Sequence, residues 1–424
     1  MAVLGTVSER SERRDQVYKE MAHIIAGSQV IAGPILVMPY ELHTQRVTVD
    51  GEGIKQTNLE VIKREQFILP KHLTIDGDMK VERRWRSLYE ILLYGSQLKL
   101  KGDFNFTSTN TLSAPSGSTV HKLQPYLVVM IKDSRGLTTI PLVSWNNKEV
   151  PVKAGLNGLT LKSGGGFYID LPSDVQSGGD FSFNIDMYVR GTQSFGWIPV
   201  GEESKVKIQS NWPHPSFQGL ALPKKHSILD QGFNAEWDST HFSTNVAQSL
   251  GDHLDPLALE KQEVGIKLVQ PVDIYQQAER SVKYGFLIIA LTFAAFLAFE
   301  TIKQLSIHPI QYAFVGLALV IFYVLLLALS EHISFARAYL VASIASISLL
   351  GFYLRFVLHS WKHAISFAIS LALLNSVTYG ILISEDYALL YGSILLFSLL
   401  ALAMIVTRKV DWNTVGLGTA KTEV

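Results

Sequence analysis

From Tyr284 onward the chain is built of uncharged apolar runs: Tyr284 to Phe299, Ile310 to Leu329, Ala338 to Leu354, Ala364 to Ile383 and Tyr387 to Val406. Each holds 16 to 20 residues, and at about 1.5 Å rise per residue roughly 20 of them cross a hydrocarbon layer of about 30 Å. Lipid offers no partner to a backbone N–H or C=O, so the spanning form is the helix, and the pattern predicts five spans. The strict alternation that a membrane β-barrel needs is missing from these runs. Upstream the period changes to two. "FSFNIDMYV" puts Phe181, Phe183, Ile185, Met187 and Val189 on one face, and "QLKLKGDFNF" does the same for Leu98 and Leu100. "YLVVMIKDSRGLTTIPLV" reads as two strands around a glycine-containing turn, and "KSGGGFYID" as a turn between strands. Pro34 and Pro39 assign "VIAGPILVMPY" to an edge or a bent strand, because proline cannot donate to a ladder. Val17, Met21, Ile24 and Ile25 recur at helical spacing among charged neighbours, which predicts an amphipathic helix over residues 8–25. "TSTNTLSAPSGS" is a polar loop without the apolar residues a packed element needs.

The expected fold class is therefore a β-rich, sandwich-like extracytoplasmic domain of antiparallel strands plus a C-terminal α-helical transmembrane bundle of five spans. Residues 1–27 form the N-terminal helix, 28–271 the β-rich domain, 272–408 the bundle and 409–424 a cytoplasmic tail. Lys and Arg in the short connections set the orientation. Lys303 follows the first span, Arg355 and Lys362 the third, and Arg408, Lys409 and Lys421 the fifth, whereas the intervening connections carry Arg337, Glu385 and Asp386. That bias puts the C-terminus in the cytoplasm and, with five spans, the β-rich domain on the opposite side. Such a topology implies a signal anchor, and the opening "MAVLGTVSERSERRDQVYKEMAHII" has no apolar core of that kind, so the anchor is expected upstream.

Composition narrows the function classes. The 424 residues are 48% hydrophobic and 17% charged, with 37 basic and 37 acidic side chains. A net charge of zero provides no basic surface for nucleic acid, so none is expected as a partner. The absence of cysteine removes disulfides, thiolate metal sites and a cysteine nucleophile. Among the candidates for chemistry, "SEHISFARAY", Ser330 to Tyr339, breaks the apolar half with Glu331, His332 and Arg337. Ionisable groups inside lipid cost about 2.5–3.5 kcal/mol each and need a reason. The topology puts these three at headgroup depth on the outer side, where an ion pair between Glu331 and Arg337 would dock the bundle against the β-rich domain or a neighbouring helix. Asn375, in the middle of the fourth span, is placed for an interhelical hydrogen bond of about 1 kcal/mol. In "NWPHPSF", Trp212, His214 and Phe217 stand around two prolines; a partner-binding loop and a rigid packing corner both fit, and the corner fits better. His359 and His363 in "HSWKH" share a helix face at the spacing of a zinc motif, without the glutamate of HExxH, so no metal is expected. No cofactor and no catalytic residue are assigned.

"SNWPHPSFQG" (Ser210 to Gly219), "GFNAEW" (Gly232 to Trp237), "DIYQQAERSVKYGFLIIALTFAAFLAFE" (Asp273 to Glu300), the stretch His308 to His332 and "DWN" after the last span resemble the CreD family of cell envelope integrity inner membrane proteins. The similarity runs from "GPILVMP" to "RKVDW". The resemblance implies a bacterial inner-membrane protein with a first membrane helix, a large periplasmic domain and a C-terminal bundle in the lipid bilayer. It also implies ties to a two-component stress response, envelope integrity and colicin tolerance, with no agreed enzymatic activity. The chain departs from the family at its start, where the first span is absent. On this reading the periplasmic domain binds or braces an unknown envelope protein or ligand. The alternative is a small-molecule or lipid transporter working through the bundle, with Glu331, His332, Arg337 and Asn375 as its polar groups.

Overall fold

The structure, a computed structural model, describes residues 2–49, 55–87, 89–107, 118–159, 164–250, 256–270, 274–303, 308–357, 360–383 and 388–408. The chain divides into two compact units. The first comprises Met1–Asp15 and Val272–Val424, the second Gln16–Pro271. In chain order the elements of the polar part are helix α1 (Ala2–Ile24), strands β1 (Gln29–Val49), β2 (Lys55–Ile68), β3 (His72–Arg86), β4 (Tyr89–Thr107), β5 (Ser118–Lys122), β6 (Tyr126–Ile131), β7 (Leu142–Trp145) and β8 (Lys148–Val150). They continue with β9 (Lys153–Ala154), β10 (Gly165–Asp170), β11 (Gly178–Thr192), β12 (Ser194–Ile198), β13 (Glu203–Ser210), β14 (Pro215–Gly219), β15 (Lys225–Leu229) and β16 (Gly232–Thr240). Short helices α2 (Val246–Ser249) and α3 (Pro256–Glu260) precede β17 (Val264–Leu268). The apolar part holds α4 (Ile274–Lys303), α5 (Pro309–Ser330), α6 (Phe335–Val357), α7 (Trp361–Ile383) and α8 (Ala388–Thr407).

Two sheets make up the second unit. One runs β14-β17-β12-β1-β6-β10-β9, with β2 and β5 also paired to β1; the other runs β15-β16-β13-β3-β4-β11-β7-β8. The period-two pattern is realised as expected: β11 buries Phe183, Ile185, Met187 and Val189, β4 buries Leu98 and Leu100, and β13 buries Val206 and Ile208. These inward rows join residues of the first sheet in one core, where the Trp197 and Trp237 rings meet edge to face at 4.7 Å. Each large side chain buried there contributes about 1.5–3 kcal/mol.

Four expectations need correction. The sheets are mixed and not purely antiparallel, since β1 runs parallel to β12 and β3 parallel to β13. Alternation fixes which face of a strand is buried and is silent on the direction of a neighbour far away in sequence. Of the two readings of the run with Pro34 and Pro39, the edge fails and the bent strand holds, since the run is an interior strand between β12 and β6. It tolerates Pro34 because the register slips between Ala32 and Ile35, a bulge. Gly33 enters it at φ 132°, where a Cβ would stand 2.8 Å from the Val128 carbonyl oxygen. Gly165 and Gly166 lie within β10 and not in a turn; the polar loop 108–117 falls outside the described residues. Helix α1 begins earlier than the pattern suggests and buries Val7 and Val17, while Ile24, expected on the same face, is exposed.

In the first unit every predicted span falls on a helix. Among the described residues α5, α6 and α7 are long and apolar enough to cross a bilayer. Local chemistry starts α5: the His308 ring accepts from the Ile310 amide at 3.3 Å, the Gln311 side chain accepts from the His308 amide at 3.2 Å, and Pro309 takes the first helical position, where no N–H is needed.

The end of α1 is fixed by charge within the second unit. Arg135 donates to the Ala22 carbonyl at 3.3 Å and to that of His23, carbonyls of the last turn that have no helical partner. Asp133 holds the guanidinium at 2.6 Å and accepts from the Gly27 amide at 3.1 Å. The Arg135 hydrogen bond first, and the Gly27 amide after it, keep the Asp133 carboxyl below the usual carboxylate range. A depressed folded-state pKa gives stability that is full above the unfolded value, about 3.9, and is lost as pH falls through the depressed one. Acid titration of the purified chain below about pH 4, followed by tryptophan fluorescence, is therefore expected to show a loss that Asp133→Asn reduces; an identical acid profile in the variant contradicts the assignment.

Candidate functional site

The charged interruption between α5 and α6 is built from the end of one helix. Glu331 caps α5, and the amides of His332 and Ile333 both return to the Leu329 carbonyl at 3.0 Å, which keeps the turn tight. The Glu331 carboxylate, only 8% exposed, lies 3.5 Å from the Arg10 guanidinium of α1, a partner within the same unit. The expected pair with Arg337 is not formed. Phe335, Ala338, Tyr339 and Ala342 are buried in the first turns of α6, so Arg337 falls on the opposite face, exposed and without an ion pair among the described residues. His332 is exposed as well. No reading of local sequence could have found Arg10, which lies some three hundred positions away.

Asn375 lies on α7 and is 5% exposed. Its contact across the helices is made by the backbone: the Tyr339 hydroxyl of α6 donates to the Asn375 carbonyl at 2.9 Å. Within the same unit, Glu300 of α4 accepts from the Tyr312 hydroxyl of α5 at 2.5 Å.

"NWPHPSF" is a packing corner. The Trp212 indole donates to the Val269 carbonyl at 3.1 Å, and the Val269 amide donates to the His214 carbonyl at 3.1 Å. The Arg83 guanidinium stands 5.3 Å from the centre of the Trp212 ring, and the His214 ring packs edge-on to Trp212 at 5.9 Å with its own side chain exposed. Asn211, one residue earlier, holds Val81 of β3 by both backbone groups, accepting from its amide at 2.8 Å and donating to its carbonyl at 3.2 Å. The aromatic letters of the motif drew attention away from that asparagine. The His359–His363 pair cannot be traced, since His359 lies outside the described residues; among the described residues no three His, Asp or Glu side chains cluster in a manner suited to a metal ion.

A broader feature comes from the outward residues of the second sheet. Register aligns Glu236 of β16, Lys207 of β13, Asp76 of β3, Lys99 of β4 and Asp186 of β11 in one row across five strands. The charges alternate in sign at every step, and side chains directly opposite stand about 4.5–5.5 Å apart at Cβ. Lys207 and Glu236 close to 3.0 Å, a hydrogen bond that raises the Lys207 pKa, and the neighbouring Lys224 lowers that of Asp238. The adjacent row is Asn234, Gln209, Asp78, Gln97 and Tyr188, mostly uncharged hydrogen-bonding groups. Between the rows lies a shallow groove of about 550 Å³. The polar positions of "KVKIQ" and "DGD" alternate visibly in the sequence, but the row exists only once non-local register is known.

A family model described as "Inner membrane protein CreD" matches residues 1–413. The inner membrane protein CreD of Escherichia coli is 34% identical over 422 residues, which cover 98% of this chain and 90% of that protein. Solved structures that resemble part of the chain include an M1 zinc metallopeptidase mutant from Deinococcus radiodurans, at 8% identity and a TM-score of 0.22 over 40% of this chain and 38% of that one. The wild-type enzyme from the same organism gives 8% identity and a TM-score of 0.18 over 40% of each chain. Likeness at that level carries no argument about fold or activity.

The Arg10–Glu331 contact generates a direct expectation. With Arg10 about half exposed, the coupling is discounted to about 1 kcal/mol. A double-mutant cycle of Arg10→Ala and Glu331→Gln, read as thermal stability of the full chain in detergent, should show non-additivity of that size, whereas strictly additive losses would leave the contact without energetic meaning.

Proposed function

The chain belongs to the CreD family of inner membrane proteins, and on that premise we propose that it supports envelope integrity and the stress response by binding or bracing an envelope component through a periplasmic β-unit. On this reading all five apolar helices span the bacterial inner membrane, the C-terminus is cytoplasmic and the second unit lies in the periplasm. The Lys and Arg bias of the connections supports the orientation. So does the Arg355 guanidinium over the Trp361 ring at 4.2 Å, a basic and aromatic pairing suited to a headgroup layer at the junction of α6 and α7.

The observation that carries the binding role is the five-strand row of alternating charge with its amide-rich neighbour. Each carboxylate in the row is flanked by an ammonium group across the strands. Alternating charges beside a row of amides present complementary charge and hydrogen bonds along the length of an extended polar partner. The name of the Escherichia coli relative states no reaction. Of the polar groups on which the transport reading rests, His332 and Arg337 are exposed and Glu331 is turned to Arg10.

A photoreactive residue at Gln97 or Gln209, in intact cells, is expected to trap a defined envelope component, and one at Ile140, which is exposed outside this face, is expected to trap none. Reversing the row with Lys99→Glu and Lys207→Glu together should lower the yield by about tenfold. Equal products from Ile140, or yields indifferent to the reversal, contradict the proposal.

A further inference from the structure

Between α6 and α7 a groove of about 400 Å³ opens within the apolar half of the chain. Its walls are apolar at Leu340, Ile344, Ile347 and Ala372, and its floor carries polar groups. The Ser343 side-chain oxygen is buried and has no hydrogen-bond partner. The Asn375 carboxamide lines the same space from a side chain that is 95% buried, as its 5% exposure requires, and forms no hydrogen bond among the described residues. Of the other hydroxyls on the lining, those of Tyr339 and Ser376 are committed: the first donates to the Asn375 carbonyl at 2.9 Å and the second to the Ala372 carbonyl at 2.8 Å. Ser343 sits eight residues into α6, about 12 Å along the helix. At that depth water does not compensate an unpaired polar group, so these two stay costly unless a ligand meets them.

We propose that this groove binds a neutral lipid with a hydroxyl-bearing head, of the diacylglycerol class. A hydroxyl both donates and accepts, and so do a serine hydroxyl and a carboxamide. Ala336 and Tyr379 complete the lining, which contains no Lys, Arg, His, Asp or Glu, so a phosphate or ammonium head would enter without a counter-charge. The volume equals about a dozen water-sized groups, enough for a glycerol head and its first methylenes. A second helix, about 10 Å across, could lie over the groove but not enter it. Leu340 and Ile344, 61% and 57% exposed, stand at the mouth and face hydrocarbon when α6 spans the bilayer, so the occupant arrives from the lipid phase. The inference goes beyond the bracing role and shares with it only the membrane placement of α6 and α7.

The test uses the full chain in nanodiscs and a diacylglycerol with a diazirine in one acyl chain, set against a phosphatidic acid with the same chains. Mass spectrometry of the crosslinked peptides should place the diacylglycerol on residues 336–347 or 372–379, in at least about tenfold excess over phosphatidic acid. Ser343→Ala and Asn375→Ala should each reduce that labelling about fivefold, the loss of one membrane-buried hydrogen bond. Should Asn375→Ala fail to fold by size-exclusion chromatography, Ser343→Ala decides alone. Equal labelling by the two lipids, labelling unchanged in the folded variants, or a groove unlabelled because a second copy covers it would each overturn the proposal.

Discussion

Backbone N–H and C=O groups need partners everywhere, and this chain must supply them in two solvents that differ completely in what they offer. In the apolar unit the helix answers that demand segment by segment, and polar side chains within it are turned back onto the same ladder: Thr292 to the Ile288 carbonyl, Ser330 to Leu327, Thr378 to Leu374. Ser343 departs from this economy, as do Ser281 and Tyr323, and Ser343 does so in the groove that Asn375 also lines. In the polar unit the ladders are non-local. Two sheets satisfy the backbone and close a core, which leaves the outward positions of the second sheet free to carry charge.

How far the sequence was legible follows from that contrast. A helix is a local object, so five apolar runs predicted five helices in the right places, and His308 and Pro309 marked the start of one of them. A strand is local only in its alternation. The inward faces of β4 and β11 could be read from Leu98, Leu100, Phe183 and Ile185, but the parallel pairing of β3 with β13 brings together residues more than a hundred positions apart. Pro34 left an edge and a bent strand both open for a related reason: proline costs a strand one donor, and the bulge that removes the cost is visible only in the register.

The same distinction governs the candidate sites. Glu331, Arg337 and Asn375 stood out because polar residues are rare in apolar surroundings; the Glu331 side chain and Asn375 are buried, and Arg337 is exposed. Their partners were not legible. Arg10 reaches Glu331 from the other end of the chain, and Tyr339 meets the backbone of Asn375 and not its amide. Helix α1 thus contributes charge to the first unit through Arg10 and accepts Arg135 at its far end within the second. The charge row Glu236, Lys207, Asp76, Lys99 and Asp186 lacked even the warning of rarity, since each member is an ordinary polar position of its own strand.

An envelope-binding role depends on the charge row facing the periplasm, and sidedness can be measured because the chain has no cysteine to obscure a single introduced one. In intact cells a membrane-impermeant maleimide should label Lys99→Cys on the second sheet directly, and should label Lys362→Cys, near the start of α7, only after the inner membrane is permeabilised. Labelling of Lys362→Cys in intact cells, with Lys99→Cys protected until permeabilisation, would put the row in the cytoplasm and contradict the account.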